Sequence, residues 1–199
     1  MFVVLFEVTP KDQLWDAYLA AAKKLKPILE QIDGFIDNTR YRSLTRSDVI
    51  LSLSTWESEK ALIRWRTVGL HHDTQELGRN AIFADYRLRV AAVTYDSADP
   101  TVAERQRRFD GTEIGTAPFV VLHEGWDGVT QGTGERFVGV LDERQNVVVC
   151  PADDDDVRRS SRDPQPDRRR VRIARVIREY GMYDRREAPQ YFPPVRSKA

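Results

Sequence analysis

Between residues 55 and 79 the chain reads TWESEKALIRWRTVGLHHDTQELGR, and this stretch holds the side chains best suited to chemistry. Trp65 shares one face of a helix with Ala61 and Leu62. There it packs the helix onto a sheet, or it points its Nε1–H at a ligand oxygen in a cavity between the two. His71 and His72 follow a glycine. Imidazole is the side chain that exchanges a proton near neutral pH, which makes His71 the candidate proton acceptor. Neighbouring helical residues point about 100° apart, so the two histidines are poorly placed to share one metal; a surface or capping position is the plain alternative. Arg40, Tyr41 and Arg42 lie on one flanking strand, Arg87 and Arg89 on another. Alternation sends Arg87 and Arg89 to one strand face and Tyr86, Leu88 and Val90 to the other. An arginine facing a cavity would hold a phenolate or enolate oxygen, with Arg40 and Arg87 as candidates. Otherwise such residues line a dimer edge or pair with acids.

These residues must be held by a folded frame. The 199 residues suit one large domain or two small ones, with 41% hydrophobic and 10% aromatic content. Lys+Arg and Asp+Glu both total 31, and this zero balance argues against nucleic-acid binding. No stretch reaches the roughly 20 apolar residues of a membrane span. MFVVLFEVTP lacks a basic lead and reads as a strand, so the expected compartment is the cytoplasm. One cysteine excludes an internal disulfide, and three histidines leave little for a Cys/His zinc cluster, so no metal is expected.

Patterning predicts a strand at 2–8, then an amphipathic helix with apolar residues at Leu14, Trp15, Tyr18, Leu19, Ala22, Leu25, Ile28 and Leu29. Pro27 should kink this helix or end its main part. Strands follow at 35–44 and 47–56. In the second, Val49, Leu51 and Leu53 share one face, Ile50, Ser52 and Ser54 the other. A helix at 58–68 is capped by Thr55 or Ser58, a helical continuation ends at Gly78-Arg79, and a strand occupies 84–95. The order β-α-β-β-α-β is that of a ferredoxin-like α+β unit, an antiparallel sheet with both helices on one face. Its bare face needs a cover, for which a partner subunit's sheet is the expected solution, giving a dimeric α+β barrel. The expected division is a domain over 1–95, a linker over 96–116, a smaller β-rich segment over 117–185 and an extended tail over 186–199. Within the β-rich segment, strands are expected at 117–126 and in a hairpin over 135–150 turning at 143–146. The charged run 151–167 is expected as a solvated loop, and a strand closes at 168–185. Arg87-Leu-Arg-Val-Ala-Ala-Val93 is echoed by Arg170-Val-Arg-Ile-Ala-Arg-Val176. Either the second part is a degenerate copy of the first, or two edge strands share a composition.

The block Trp56-Glu-Ser-Glu-Lys-Ala-Leu-Ile-Arg-Trp65-Arg66, then His71, Gln75 and Gly78-Arg79, then Asp85-Tyr86-Arg87-Leu-Arg89-Val90, resembles the antibiotic biosynthesis monooxygenase family over residues 1 to about 95. Arg178-Glu-Tyr-Gly-Met-Tyr-Asp-Arg185 is similar to the end some members carry after their fourth strand. The resemblance implies a homodimeric α+β barrel that oxidises planar aromatic, polyketide-type phenols to quinones with O2, without metal or flavin. It matches Trp65 to the family's site tryptophan and His71 to its recurrent histidine. Where quinone-forming members carry asparagine, one turn before the tryptophan, this chain has Ala61. A sister branch degrades haem, but at its iron-ligand position this chain has Gln75, and at its strand-one asparagine roughly Glu7.

The expectation is therefore a cofactor-independent monooxygenase with Trp65, His71 and Arg87 in the reaction and Arg40, Tyr41 and Tyr86 against the substrate. Reduced flavin and haem are the alternative cofactors. A non-catalytic small-molecule-binding barrel is the alternative of another class. His123, Glu124, Trp126 and Asp127 run into a glycine-rich loop that reads as a lid or as a plain hairpin connection. Cys150 reads as an inert core thiol, and Asp153 to Asp156 as a solvated loop without calcium-loop spacing.

Overall fold

The computed structural model describes residues 1–99, 101–102, 110–125, 134–160 and 170–188. Its first half follows the sequence pattern closely. The elements are β1 (Phe2–Pro10), α1 (Trp15–Leu29), β2 (Phe35–Ser43), β3 (Ile50–Trp56), α2 (Glu59–Arg66), α3 (Gly69–Leu77) and β4 (Phe83–Asp96). Ser58 caps α2, its hydroxyl accepting from the Ala61 N–H at 3.3 Å. Pro27 sits in the last turn of α1, which ends two residues later at Leu29. Gly78 does not stop the helical path. The chain passes there into one π-helical turn, Gly78–Ile82, which buries Arg79 and Ile82. A side chain at Gly78 is excluded, since a Cβ would lie 2.5 Å from the Phe83 ring.

The second half supplies β5 (Phe119–Glu124), β6 (Glu135–Gly139), β7 (Asn146–Ala152), a short helix α4 (Asp154–Ser160) and β8 (Arg170–Gly181). The helix corrects the loop expected over 151–167, whose residues 161–169 lie outside the described ones. The local cause is a cap. The Asp153 carboxylate accepts from the N–H groups of Asp155 and Asp156, both at 2.9 Å. Acids then fill the first turn and Arg158 and Arg159 the last, the polarity a helix dipole favours.

All eight strands close into one antiparallel barrel in the order β1-β3-β2-β6-β7-β5-β8-β4. This corrects the source of the cover: the bare face of the first sheet is met by β5–β8 of the same chain, not by a partner's sheet. The stretches 1–95 and 117–185 thus share one sheet, joined where β2 meets β6 and β4 meets β8. Each half contributes its strands in the same spatial order, fourth-first-third-second. The echo between Arg87–Val93 and Arg170–Val176 falls on the two fourth strands. Their register is Ala91 with Val176, Ala92 with Arg175 and Val93 with Ala174. In the echo Ala91 corresponds to Ala174 and Val93 to Val176, so each residue pairs with its partner's counterpart, as a local two-fold at Ala92/Arg175 requires. Neither strand is an edge. The degenerate-copy reading therefore fits topology and register together, with α4 in the place of the second helix.

The barrel interior is filled. Val3, Leu5, Leu51, Leu53, Ala91, Val93, Val120, Leu122, Val147, Val149, Ala174 and Val176 meet there, with Tyr41, Phe137 and the linker residue Val102. Buried ion pairs occupy its ends. Glu7 pairs with Arg89 and with Arg46, the latter at 2.6 Å. Arg172 donates to Glu124 at 2.7 Å and to the Thr55 hydroxyl at 2.8 Å. Burial alone would raise the Glu7 carboxyl, but Arg89, Arg46 and Arg87 more than offset it and hold it below the ordinary carboxylate value. Among the described residues, no helix is long and apolar enough to cross a membrane.

Candidate active site beneath the helices

A cavity of about 510 Å³ lies between the outer face of β1–β4 and the helices, within the range of roughly 300–1,000 Å³ common for small-molecule sites. Its position follows from alternation. Val4 and Phe6 of β1, Asn38 and Arg40 of β2, Ser52 and Ser54 of β3, and Tyr86, Leu88 and Val90 of β4 all point away from the packed interior. Their sequence neighbours point into it. Tyr18, Ala22 and Leu25 of α1 roof one side. Leu62, Trp65 and Arg66 of α2, with His71, His72 and Gln75 of α3, roof the other.

Trp65 and His71 form one unit. The break between α2 and α3 at Thr67–Val68 folds α3 back, and the imidazole stacks on the indole at 4.0 Å between centroids and 16° between planes. His71 Nδ1 lies 3.0 Å from the Trp65 carbonyl oxygen. A carbonyl only accepts, so Nδ1 carries the proton and Nε2 keeps a lone pair. Burial pushes the imidazole down to about 4, against the opposing pull of the Trp65 carbonyl, and His72 lowers it further. His71 is therefore neutral at neutral pH. The other tryptophan differs: Trp56 spends its indole N–H on Ser54 Oγ at 2.9 Å.

This depressed value gives a signed prediction. A histidine whose folded pKa lies below its unfolded value near 6.5 binds fewer protons in the native state. Stability is thus undiminished above about pH 6.5 and falls as the pH drops from there toward about 4. Urea titrations at pH 7 and pH 5 should show the loss, and His71→Asn should reduce it.

Tyr86 marks the opposite side. Its hydroxyl accepts from Arg79 Nη1 and Arg185 Nη1, both at 2.6 Å. Arg178 of β8 meets Glu59 at 3.4 Å across the rim. Thus Trp65, His71, Arg40 and Tyr86 converge on one cavity. Two other candidates do not. Arg87 faces the interior side of β4 and pairs with Glu179 at 2.7 Å, and Tyr41 is buried in the barrel interior. Both sit on the strand face opposite the cavity. Ala61 also misses it: that side chain packs against Gly34, where φ is +82° and a Cβ would lie 2.8 Å away.

Sequence reasoning missed Tyr18, Arg79 and Arg185. Arg79 reads as part of an apparent helix stop and of the family-like block, and Arg185 within the terminal block, neither as a site residue. Glu124 is bound to Arg172 and His123 lies beside it on β5; Trp126 and Asp127 lie outside the described residues. Burial, and secondarily Asp156, push the Cys150 thiol up, as suits an unreactive cysteine. Among the described residues, no group of three or more His, Cys, Asp or Glu is placed to hold a metal ion.

An α+β barrel with a ligand-sized apolar cavity under its helices, floored by a four-stranded ferredoxin-like sheet, is an architecture suited to holding a small molecule, here folded from one chain. The model of the family described as antibiotic biosynthesis monooxygenase matches residues 1–77. A Pyricularia oryzae protein named Jasmonate monooxygenase ABM is 38% identical over 217 residues, covering 98% of this chain and 100% of that protein. The chain belongs to the antibiotic biosynthesis monooxygenase family. Similar solved structures include a putative antibiotic biosynthesis monooxygenase from Nitrosomonas europaea, with 10% identity, TM-score 0.42, and 45% of this chain and 95% of that one covered. Another from Deinococcus radiodurans has 10% identity and TM-score 0.42 over 45% of this chain and 89% of that one.

Proposed function

We propose that this chain is an O2-dependent monooxygenase acting on a small, largely apolar substrate held beside the Trp65–His71 stack, without metal or flavin. The observation that carries this reading is a neutral imidazole with a free Nε2, fixed flat against an indole at the wall of an apolar cavity that arginines also line. His71 Nε2 takes a proton from an activated substrate carbon. The arginines favour the anion so formed, and an anion beside His71 raises the imidazolium in turn. The carbanion passes one electron to O2, the two radicals join as a peroxide, and loss of water leaves a carbonyl. In this balance a CH2 group and O2 become C=O and H2O, and the substrate supplies every electron. The apolar walls exclude water and orient the ring.

The relative's substrate by name, jasmonate, is the first candidate. A planar phenol of the polyketide type is the second, favoured by the flat Trp65–His71 wall. An oxygen electrode tests the reading with purified protein, jasmonate or an anthrone, and no added reductant. The expected result is one O2 consumed per oxidised product. Uptake that begins only when reduced flavin is supplied overturns cofactor independence. No uptake with either, reductant or not, favours a binding protein.

A further inference from the structure

We propose that the substrate carries a carboxylate on its apolar body, and that Arg40, with Tyr18 and Ser52 beside it, seats that carboxylate. The inference rests on the cavity being the substrate site and adds the chemical class of what it takes.

Charge in the cavity is lopsided. Arg40, Arg66, Arg79, Arg178 and Arg185 line it, with Glu59 as its single carboxylate. Glu59 is engaged by Arg178 at 3.4 Å. Five guanidinium groups against one carboxylate in an apolar lining favour an anion over a neutral guest of the same shape.

Arg40 is the specific seat. Three other withdrawn arginines are each paired with an acid: Arg89 with Glu7, Arg172 with Glu124, Arg170 with Asp96. Arg40 differs from these three. It is half-buried on the cavity floor, its Nε is buried without a hydrogen-bond partner, and among the described residues no carboxylate lies within ion-pair distance of it. Around it stand neutral groups, the Tyr18 hydroxyl and Ser52, which lies opposite Arg40 in the β2–β3 register. A guanidinium without a counter-charge in low-dielectric surroundings is costly, and its planar fork matches a carboxylate in two hydrogen bonds. Tyr18 is positioned to add a third donor.

The test compares octanoate with methyl octanoate, equal in chain and different in charge, by titration calorimetry on the full chain. Octanoate should bind about 10–100-fold more tightly, the worth of a charge-assisted hydrogen-bond pair. Arg40→Gln should erase that preference while leaving the ester's affinity within about two-fold. Arg40→Lys, which keeps the charge, should restore part of it. Arg42→Gln, on the same strand but paired outside the cavity with Glu143, should leave it intact. Equal binding of acid and ester by the unaltered protein overturns the inference and leaves the cavity reading standing, with no variant needed. A preference that survives Arg40→Gln overturns the assignment to Arg40. Binding of neither probe overturns the cavity as an apolar ligand site, and the inference with it.

Discussion

Replacing His71 by alanine is expected to lower kcat by about 10²–10⁴-fold, the usual contribution of a positioned general base. The imidazole is built for one job in this geometry. Its Nδ1–H is tied to the Trp65 carbonyl at 3.0 Å, which leaves Nε2 as acceptor. With its pKa pushed down to about 4, the ring holds that accepting form at any pH the protein meets near neutrality. The rate should therefore stay flat as pH falls from 7 toward 5, with the His71-dependent decline only near pH 4. His71→Gln keeps a polar group but not a base, and should not rescue. Loss of rate with unchanged KM for O2 uptake is the expected split. A His71→Ala enzyme within five-fold of the parent would remove the base from the mechanism.

The second large effect concerns the barrel rather than the cavity. Glu7→Gln should destabilise the fold by about 3–5 kcal/mol, because it leaves Arg89 buried without its counter-charge. Its depressed carboxyl pKa fixes the sign with pH. The stabilisation is complete above the unfolded value near 4.3 and is lost as pH falls through the lower folded value. Urea midpoints at pH 7 should separate parent and variant widely, and acid should bring them together. Replacing the pair together, Glu7→Leu with Arg89→Met, should recover much of the loss, since a buried pair exchanged for apolar groups of similar volume is near neutral.

Much of this was legible in the residues. Period-two alternation put Ser52 and Ser54 opposite Leu51 and Leu53, and put Tyr86 opposite Arg87, as observed. The spacing of apolar residues gave α1, and of the two caps offered for α2, Thr55 and Ser58, the second is the one used. Alternation separates two faces, however, without saying which one borders a cavity. Arg87 and Tyr41 were therefore joined to residues on the other side of their strands. Closure by the chain's own strands was harder to read. The stretch between β5 and β6 carries no helical stripe, so the second half does not look like the first. Only the echo on β4 and β8 betrays it, and its meaning emerges from the register at Ala92 and Arg175. The short helix α4 was missed for a related reason: seven residues with no buried side chain have no apolar period, only a cap.

The central claim is that chemistry occurs in the cavity under α1–α3 and not in the filled barrel interior. Ala22 lines that cavity from α1 and is 7% exposed. Ala22→Phe projects a ring into the space a substrate would take, at a stability cost of at most about 1–3 kcal/mol. The decisive measurement is O2 uptake by this variant under saturating substrate, with its unfolding midpoint recorded alongside. A folded protein whose uptake falls at least about 100-fold is the expected result; a folded protein that consumes O2 at the parent rate would contradict it.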